Sequence, residues 1–236
     1  YKVVEPVASL YKPQVRILSR KLGFPKEMSE RQPFPGPGLM VRSVGPISQG
    51  KLQQLKTATE IIEKALKNNG AQQYFAAIIE NNPYEGMETY GLSKDLSELL
   101  NLESKDLNIS ILENMATGVV EGKRIYGQMA GVTFSPTIKE EMDEIIMKLV
   151  AECPRLVRDN PNYIRLLLEI KRIGKRKSYA AIIRAINTDK FLTAQPLKID
   201  WKKLTSISSK IIKQCTKVST IYYDLTPKPP ATIEFE

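Results

Sequence analysis

The chain of 236 residues is long enough for one large domain or two modest ones, and its 42% apolar and 26% charged content is that of a globular protein with a proper core. Histidine is absent, which excludes Ser-His and Cys-His catalysis and the usual zinc sites, and no run approaches the roughly 18 to 20 apolar residues of a membrane span. Residues 1–154 carry 18 basic and 19 acidic side chains and residues 155–236 carry 17 and 7, so the positive excess lies in the last third. That excess suits a phosphate-bearing ligand, a nucleic acid or an acidic partner surface, with a solvated lysine-rich face as the plain alternative.

The chain begins at Tyr1 rather than Met, as a piece of a longer protein would, and shows no signal-peptide pattern, so a cytoplasmic setting is expected. Val3 to Glu5 reads as the end of a strand. Pro13 suits a first helical turn, Val15, Leu18 and Leu22 mark one apolar face, and Gly23 ends that helix. Arg31 to Leu39 (RQPFPGPGL) holds three prolines and two glycines in nine residues and predicts an ordered loop or linker at a domain boundary. A short strand is expected over 39–44, a helix over 51–67, and a strand over 74–79. A short helix capped by Ser93 follows, and then two strands within 109–133 meeting in a hairpin turn at Glu121, Gly122 and Lys123.

A similar order recurs. Thr137 and Glu140 have capping-box spacing ahead of a helix bearing Ile138, Met142, Ile145, Ile146 and Leu149. A strand over 163–173, a basic turn containing Lys175, Arg176 and Lys177, and a strand over 179–186 follow as a second hairpin. Asp200 caps a last helix with Leu204, Ile207, Ile211 and Ile212 inward, and Ser219 to Tyr223 is the final strand. Helices on one face of antiparallel strands give an α+β fold, and the repeated order predicts two subdomains, 39–136 and 137–236, after a leading segment of 1–38. Cys153 and Cys215 sit near helix ends as small buried thiols, and Tyr163, Tyr179, Tyr222 and Tyr223 are read as strand residues packing a core.

The last nine residues, Lys228 to Glu236 (KPPATIEFE), are unusual for a chain end. By themselves they read as a final edge strand after a turn, or as an arm stiffened by Pro229 and Pro230 that presents one ammonium and one or two carboxylates. Read together with PFPGPG at Pro33, Phe34, Pro35, Gly36, Pro37 and Gly38, they resemble the GMP synthetase family. The first motif is similar to its signature between the ATP pyrophosphatase and C-terminal domains, and Tyr223 to Glu236 (YDLTPKPPATIEFE) to its C-terminal YD(I/L)(T/S)xKPPxTxEWE. Val3 to Gly23 resembles the end of the pyrophosphatase domain, residues 39–79 the start of the dimerisation domain, and Thr117 to Tyr126 its GVxGDxRxY turn.

What the resemblance implies is specific. The family aminates xanthosine monophosphate with ATP and glutamine-derived ammonia, and its C-terminal domain closes the nucleotide site. By motif, Lys228 would bind the substrate phosphate; Ile233, Glu234 and Thr232 would line the site; Arg124, Tyr126 and Asn162 fall on the family's Arg, Tyr and Gln. An ammonium between phosphate oxygens forms a charge-assisted bond, whereas a carboxylate there repels, so Glu234 is given a ribose hydroxyl or the orientation of Lys228. No catalytic residue and no metal ligand is expected here: Mg-ATP belongs to an upstream domain, and the segment is not expected to be active alone. The implied partners are a glutaminase domain or subunit and either a homodimer mate or an internal pseudo-dimer half, with no membrane and no nucleic acid. Departures are Thr220 for an Arg, Gly122 for an Asp with Glu121 displaced, Phe235 for Trp, and Pro13 and Gln14 for an acidic pair. The charge of the last third leaves a basic nucleic-acid-binding module as the alternative, and the departures leave a scaffold that has lost nucleotide binding.

Overall fold

The computed structural model describes residues 3–29, 32, 38–84, 89–174, 179–188 and 192–236, the side chains of residues 139 and 140 excepted. The signature residues Pro33 to Pro37 and the basic turn Lys175 to Lys177 lie outside the described residues. The chain divides into two compact units, Tyr1–Pro35 and Gly36–Glu236. In the first, α1 (Lys12–Lys21) carries Pro13 in its first turn, where a missing N–H costs nothing, and Arg20 and Lys21 in its last. A single turn, α2 (Lys26–Ser29), follows. Residues 3–5 are not a strand.

The second unit opens on a 3-10 helix, Gly38–Arg42, in place of the expected short strand, and only Ser43 makes a bridge, to Ile78. The remaining elements are α3 (Gln49–Leu66), β1 (Gln73–Glu80), α4 (Tyr90–Leu100), β2 (Leu107–Val120), β3 (Lys123–Phe134), α5 (Met142–Asp159), β4 (Tyr163–Arg172), β5 (Tyr179–Asn187), β6 (Gln195–Pro196), α6 (Trp201–Gln214) and β7 (Val218–Asp224). Ser48 and Asp200 cap α3 and α6 by accepting from the Lys51 and Lys203 N–H groups at 3.2 and 2.7 Å. α4 begins at Tyr90, ahead of Ser93, and the turn at 136–141 is 3-10, so α5 starts after the Thr137 and Glu140 pair.

The seven strands form one sheet in the order β1-β5-β7-β4-β3-β2, with β6 on β5. Pairing is antiparallel except for β3 with β4 and β5 with β7. Each parallel pair is joined through a helix, α5 or α6, because a parallel neighbour cannot be reached by a tight turn. The β2–β3 hairpin forms as expected, with positive φ at both Glu121 (50°) and Gly122 (75°), the backbone that matches strand twist. The second hairpin does not form: β7 inserts between β4 and β5, pairing with both. The sheet does not divide at residue 136, since strands of 73–134 flank those of 163–224 on both sides.

Alternation along the strands assigns the two faces. Ala76 and Ile78 point with Leu166, Leu168, Ile183 and Tyr223 toward all four long helices, which cover that face through residues such as Leu55, Leu96, Leu149 and Leu204. Phe75, Ala77 and Ile79 point the other way, into a core with Met129, Ile164, Leu167, Ile182 and Tyr222 that is capped by Val44 and Phe235 instead of a helix. The sheet curls around this second core. Pro83 bridges Leu112, and Asn114 Nδ2 donates to Glu80 Oε2 at 3.1 Å, so the outermost strands β1 and β2 approach each other. Both cysteines are buried and unpaired, and among the described residues no helix is long and apolar enough to cross a membrane.

Candidate functional site: the C-terminal arm

The arm after β7 docks along main chain on two sides. The Lys228 N–H donates to Ala194 O at 2.8 Å and its carbonyl accepts from Ala194 N–H at 3.0 Å. Further on, Val119 N–H donates to Pro230 O at 2.7 Å and Thr117 N–H to Phe235 O at 2.9 Å, so the arm lies against the free edge of β2. Gly118 permits this approach: a Cβ there would meet Pro230 O at 2.8 Å. The Phe235 and Glu236 N–H groups both donate to Val41 O at 3.1 Å. Lys228–Pro229 and Pro229–Pro230 are cis peptides.

Three buried guanidinium groups hold the arm from beneath. Arg165 Nη1 donates to Asp224 Oδ2 at 2.6 Å, while its Nη2 donates to the carbonyls of Thr232 at 3.0 Å and Glu234 at 2.5 Å. Its guanidinium lies 3.9 Å from the centre of the Phe235 ring. Arg184 Nη1 lies 3.1 Å from the same Asp224 oxygen and donates to Thr226 O at 2.5 Å, and its Nη2 reaches Thr232 O at 3.2 Å. Arg42 grips Glu234 with two donors, Nε to Oε2 at 2.9 Å and Nη2 to Oε1 at 3.1 Å, and stacks 3.8 Å over Phe75. Gln73 Nε2 donates to Glu234 Oε1 at 3.1 Å.

Local geometry explains how these groups reach the arm. The register shifts from Gln128↔Tyr163 to Met129↔Arg165, leaving Ile164 as an extra residue, so Ile164 and Arg165 both face the second core. Burial pulls the Arg165 guanidinium down to about 10 against the pull of Asp224, which still leaves it charged at neutral pH. Burial also raises the Cys153 thiol and the Tyr223 hydroxyl, Cys153 with Asp224 beside it. Tyr223 donates to Leu197 O.

Of the residues singled out from the sequence, Lys228, Thr232, Ile233 and Glu234 come together in the arm. Lys228 is partly exposed. The Thr232 hydroxyl is engaged inside, 2.6 Å from Thr117 Oγ1 and from Glu234 O. Ile233 packs on the second core, and Glu234 is occupied by Arg42 and Gln73. Arg124 and Tyr126 sit on β3 opposite Val119 and Thr117, one strand away from the arm, both exposed, with the guanidinium 5.9 Å from the ring centre. Asn162 is exposed in the turn before β4. Among the departures, Gly122 forms the β2–β3 turn, and Thr220 is buried and accepts from Asn81 Nδ2 at 3.1 Å.

Arg42, Arg165, Arg184 and Asp224 are not among the residues singled out from the sequence. A signal is present: Arg165 and Arg184 are lone cations in otherwise apolar runs, IRLLL and AAIIRAI. A charge there has to be paired, because burying it alone is prohibitive.

The arm as far as Phe235 and the strands that carry Arg165, Arg184 and Asp224 fall inside the segment that comparison with known families picks out, while β2 and Arg42 lie outside it. Residues 162–235 match the GMP synthase C terminal domain. Over its whole length the chain is 38% identical to a subunit of the glutamine-hydrolyzing GMP synthase of Sulfurisphaera tokodaii and 38% identical to the corresponding subunit of Saccharolobus solfataricus. It is also 28% identical, again over its whole length, to the glutamine-hydrolyzing GMP synthase of Lactobacillus delbrueckii. The chain spans 57% of the length of each of the first two relatives and 30% of the third. The resemblance carried by the PFPGPG and KPPATIEFE motifs is therefore borne out.

Proposed function

We propose that the chain is the C-terminal part of a GMP synthase, a glutamine-dependent carbon-nitrogen ligase, and that its arm binds xanthosine monophosphate for ATP-dependent amination to GMP. The observation that carries this reading is the arm itself: a short terminal segment fixed by three buried arginines, presenting Lys228 at its partly exposed bend. Lys228 takes the phosphate, while Thr232, packed against Thr117, and Ile233, on the second core, hold the arm, and Arg42 and Gln73 fix Glu234 beside it. Neutralised by Arg42, the Glu234 carboxylate opposes an incoming dianion less than a free one. Ammonia comes from a glutaminase domain or subunit. Mg-ATP we place on the upstream domain that the family resemblance implies.

The test is calorimetric titration of the full-length protein with xanthosine monophosphate. A charge-assisted bond is worth about 1.5–3 kcal/mol, so Lys228→Ala is expected to weaken binding roughly ten- to hundredfold. An unchanged Kd removes the assignment. The reading of 39–136 and 137–236 as a pseudo-dimer within one chain rests on the family resemblance, since the two segments share one sheet that does not repeat a unit across residue 136. Light scattering on the full-length protein should then give a monomer, and a tight dimer would sink that idea.

One observation favours the alternative of a basic nucleic-acid-binding module. α6 carries Lys202, Lys203, Lys210 and Lys213 and no acidic residue, whereas α3, α4 and α5 each contain an i,i+4 ion pair. Single-stranded RNA titrated at two salt concentrations tests it, since backbone binding gives a steep salt slope.

A further inference from the structure

Arg165, Asp224 and Arg184 form a buried triad with two cations and one anion, all without solvent exposure. The Nε of each arginine finds no acceptor. Desolvating such a group is costly, and three apolar side chains of similar volume would fill the space without that cost. What apolar residues could not supply is direction. The two arginines gather the inward-facing carbonyls of Thr226, Thr232 and Glu234, and both donate to the carbonyl of Thr232. These carbonyls lie on both sides of Lys228 in the chain, so the segment from 226 to 234 is folded around the two guanidinium groups as a loop around a peg. The peg also keeps one uncompensated positive charge beneath the bend.

We infer that Arg165 and Arg184, bridged by Asp224, are positioning residues for the nucleotide: they set the shape of the arm and its positive potential, and so the affinity for the phosphate that Lys228 meets. The inference rests on the reading of Lys228 given above. It differs from a stabilising role in that binding and stability separate. A triad that only holds the fold together can be replaced by apolar residues at no loss to either, whereas a positioning triad replaced in this way leaves a folded protein with a misplaced arm.

The experiment uses the complete enzyme, with its ATP and glutaminase parts. The triple variant Arg165→Met, Asp224→Leu, Arg184→Met is expected to stay folded at the assay temperature, which circular dichroism and the melting temperature check. KM for xanthosine monophosphate should rise at least tenfold while KM for ATP stays within twofold. Arg184→Lys keeps the charge but loses the fork to Thr226 and Thr232, and should raise the same KM about threefold with kcat unchanged. A triple variant with parental KM for the nucleotide overturns the inference, as does a rise shared equally by ATP. Should the triple variant fail to fold, Arg184→Lys decides alone, and an unchanged KM there overturns it. Lys228→Ala run in parallel separates the two ideas: no effect in Lys228→Ala refutes the site reading itself, while a large effect there beside a silent triad refutes only the positioning role.

Discussion

Neutralising Asp224 alone is the sharpest stability test of the arm's foundation. Its Oδ2 serves Arg165 at 2.6 Å and Arg184 at 3.1 Å, and its Oδ1 accepts from Thr226 N–H at 2.9 Å, all away from solvent. Asp224→Asn keeps the shape, but leaves two guanidinium groups without a counter-ion and turns an N–H pair toward one set of donors. Breaking a buried pair by removing one partner costs about 3–5 kcal/mol, and two cations lose their partner here, so the upper half of that range is expected. For a chain of this size each kcal/mol lowers Tm by roughly 2–4 °C, which places the fall at roughly 8–20 °C. Urea unfolding followed through the fluorescence of the sole tryptophan, Trp201 in α6, measures the free-energy loss, and thermal unfolding the fall in Tm. A loss under about 1 kcal/mol would mean that the two arginines do not depend on this carboxylate, and the electrostatic account of the arm would fall with it.

Gly118→Ala places a methyl group 2.8 Å from Pro230 O and 3.1 Å from Ile164 Cδ1, so hydrogen exchange should accelerate across 230–236 while α3 stays protected; unaltered exchange in the arm would contradict the packing. Gly127→Ala meets Ile164 Cγ2, a stiff β-branched side chain in the second core, and is expected to cost about 1–3 kcal/mol in chemical denaturation. Burial lifts the Cys215 thiol to about 11, above its ordinary value of 9.0, so its contribution to stability is complete below pH 9 and is lost as the pH rises toward 11. Cys215→Ala should flatten that part of the stability profile, and a profile identical to the parent's would show that the thiol is not the titrating group. Asp200→Ala removes the α6 cap, with an expected loss of about 1 kcal/mol by thermal unfolding.

The long helices and most strands are legible in the sequence because their signals are local. Leu204, Ile207 and Ile211 recur at helical spacing and all three are buried, and the positive φ that a two-residue hairpin needs is announced by Gly122. Strand neighbours are not legible. The connection from Arg172 to Tyr179 is short enough for a hairpin, yet β7, 39 residues after Tyr179, takes the place between β4 and β5. Nothing in residues 163–187 records this, because the decision is made by which apolar edges remain open when α6 has crossed the sheet. Lys51 illustrates the same limit. It reads as the solvated start of a helix but is buried, donating to Val44 O, Pro46 O and Glu80 and so fixing the turn before α3.

The arm is recognisable as a motif without its physical basis, which comes from residues far away in the chain. The 3-10 helix Gly38–Arg42 offers Val41 O to the N–H groups of Phe235 and Glu236, and the guanidinium of Arg42 to Glu234. An arm bound in this way favours Glu at position 234, where its carboxylate meets the buried Arg42 guanidinium that lies over Phe75. It also needs an aromatic ring at 235, because Arg165 stacks on it. Phe235 meets that second need as Trp would, so the departure from the family pattern at this position keeps the stacking contact. The same logic makes the acidic residue at 234 first of all a partner of Arg42. A Glu234→Gln variant would therefore lose stability even without nucleotide, which thermal unfolding of the ligand-free protein measures.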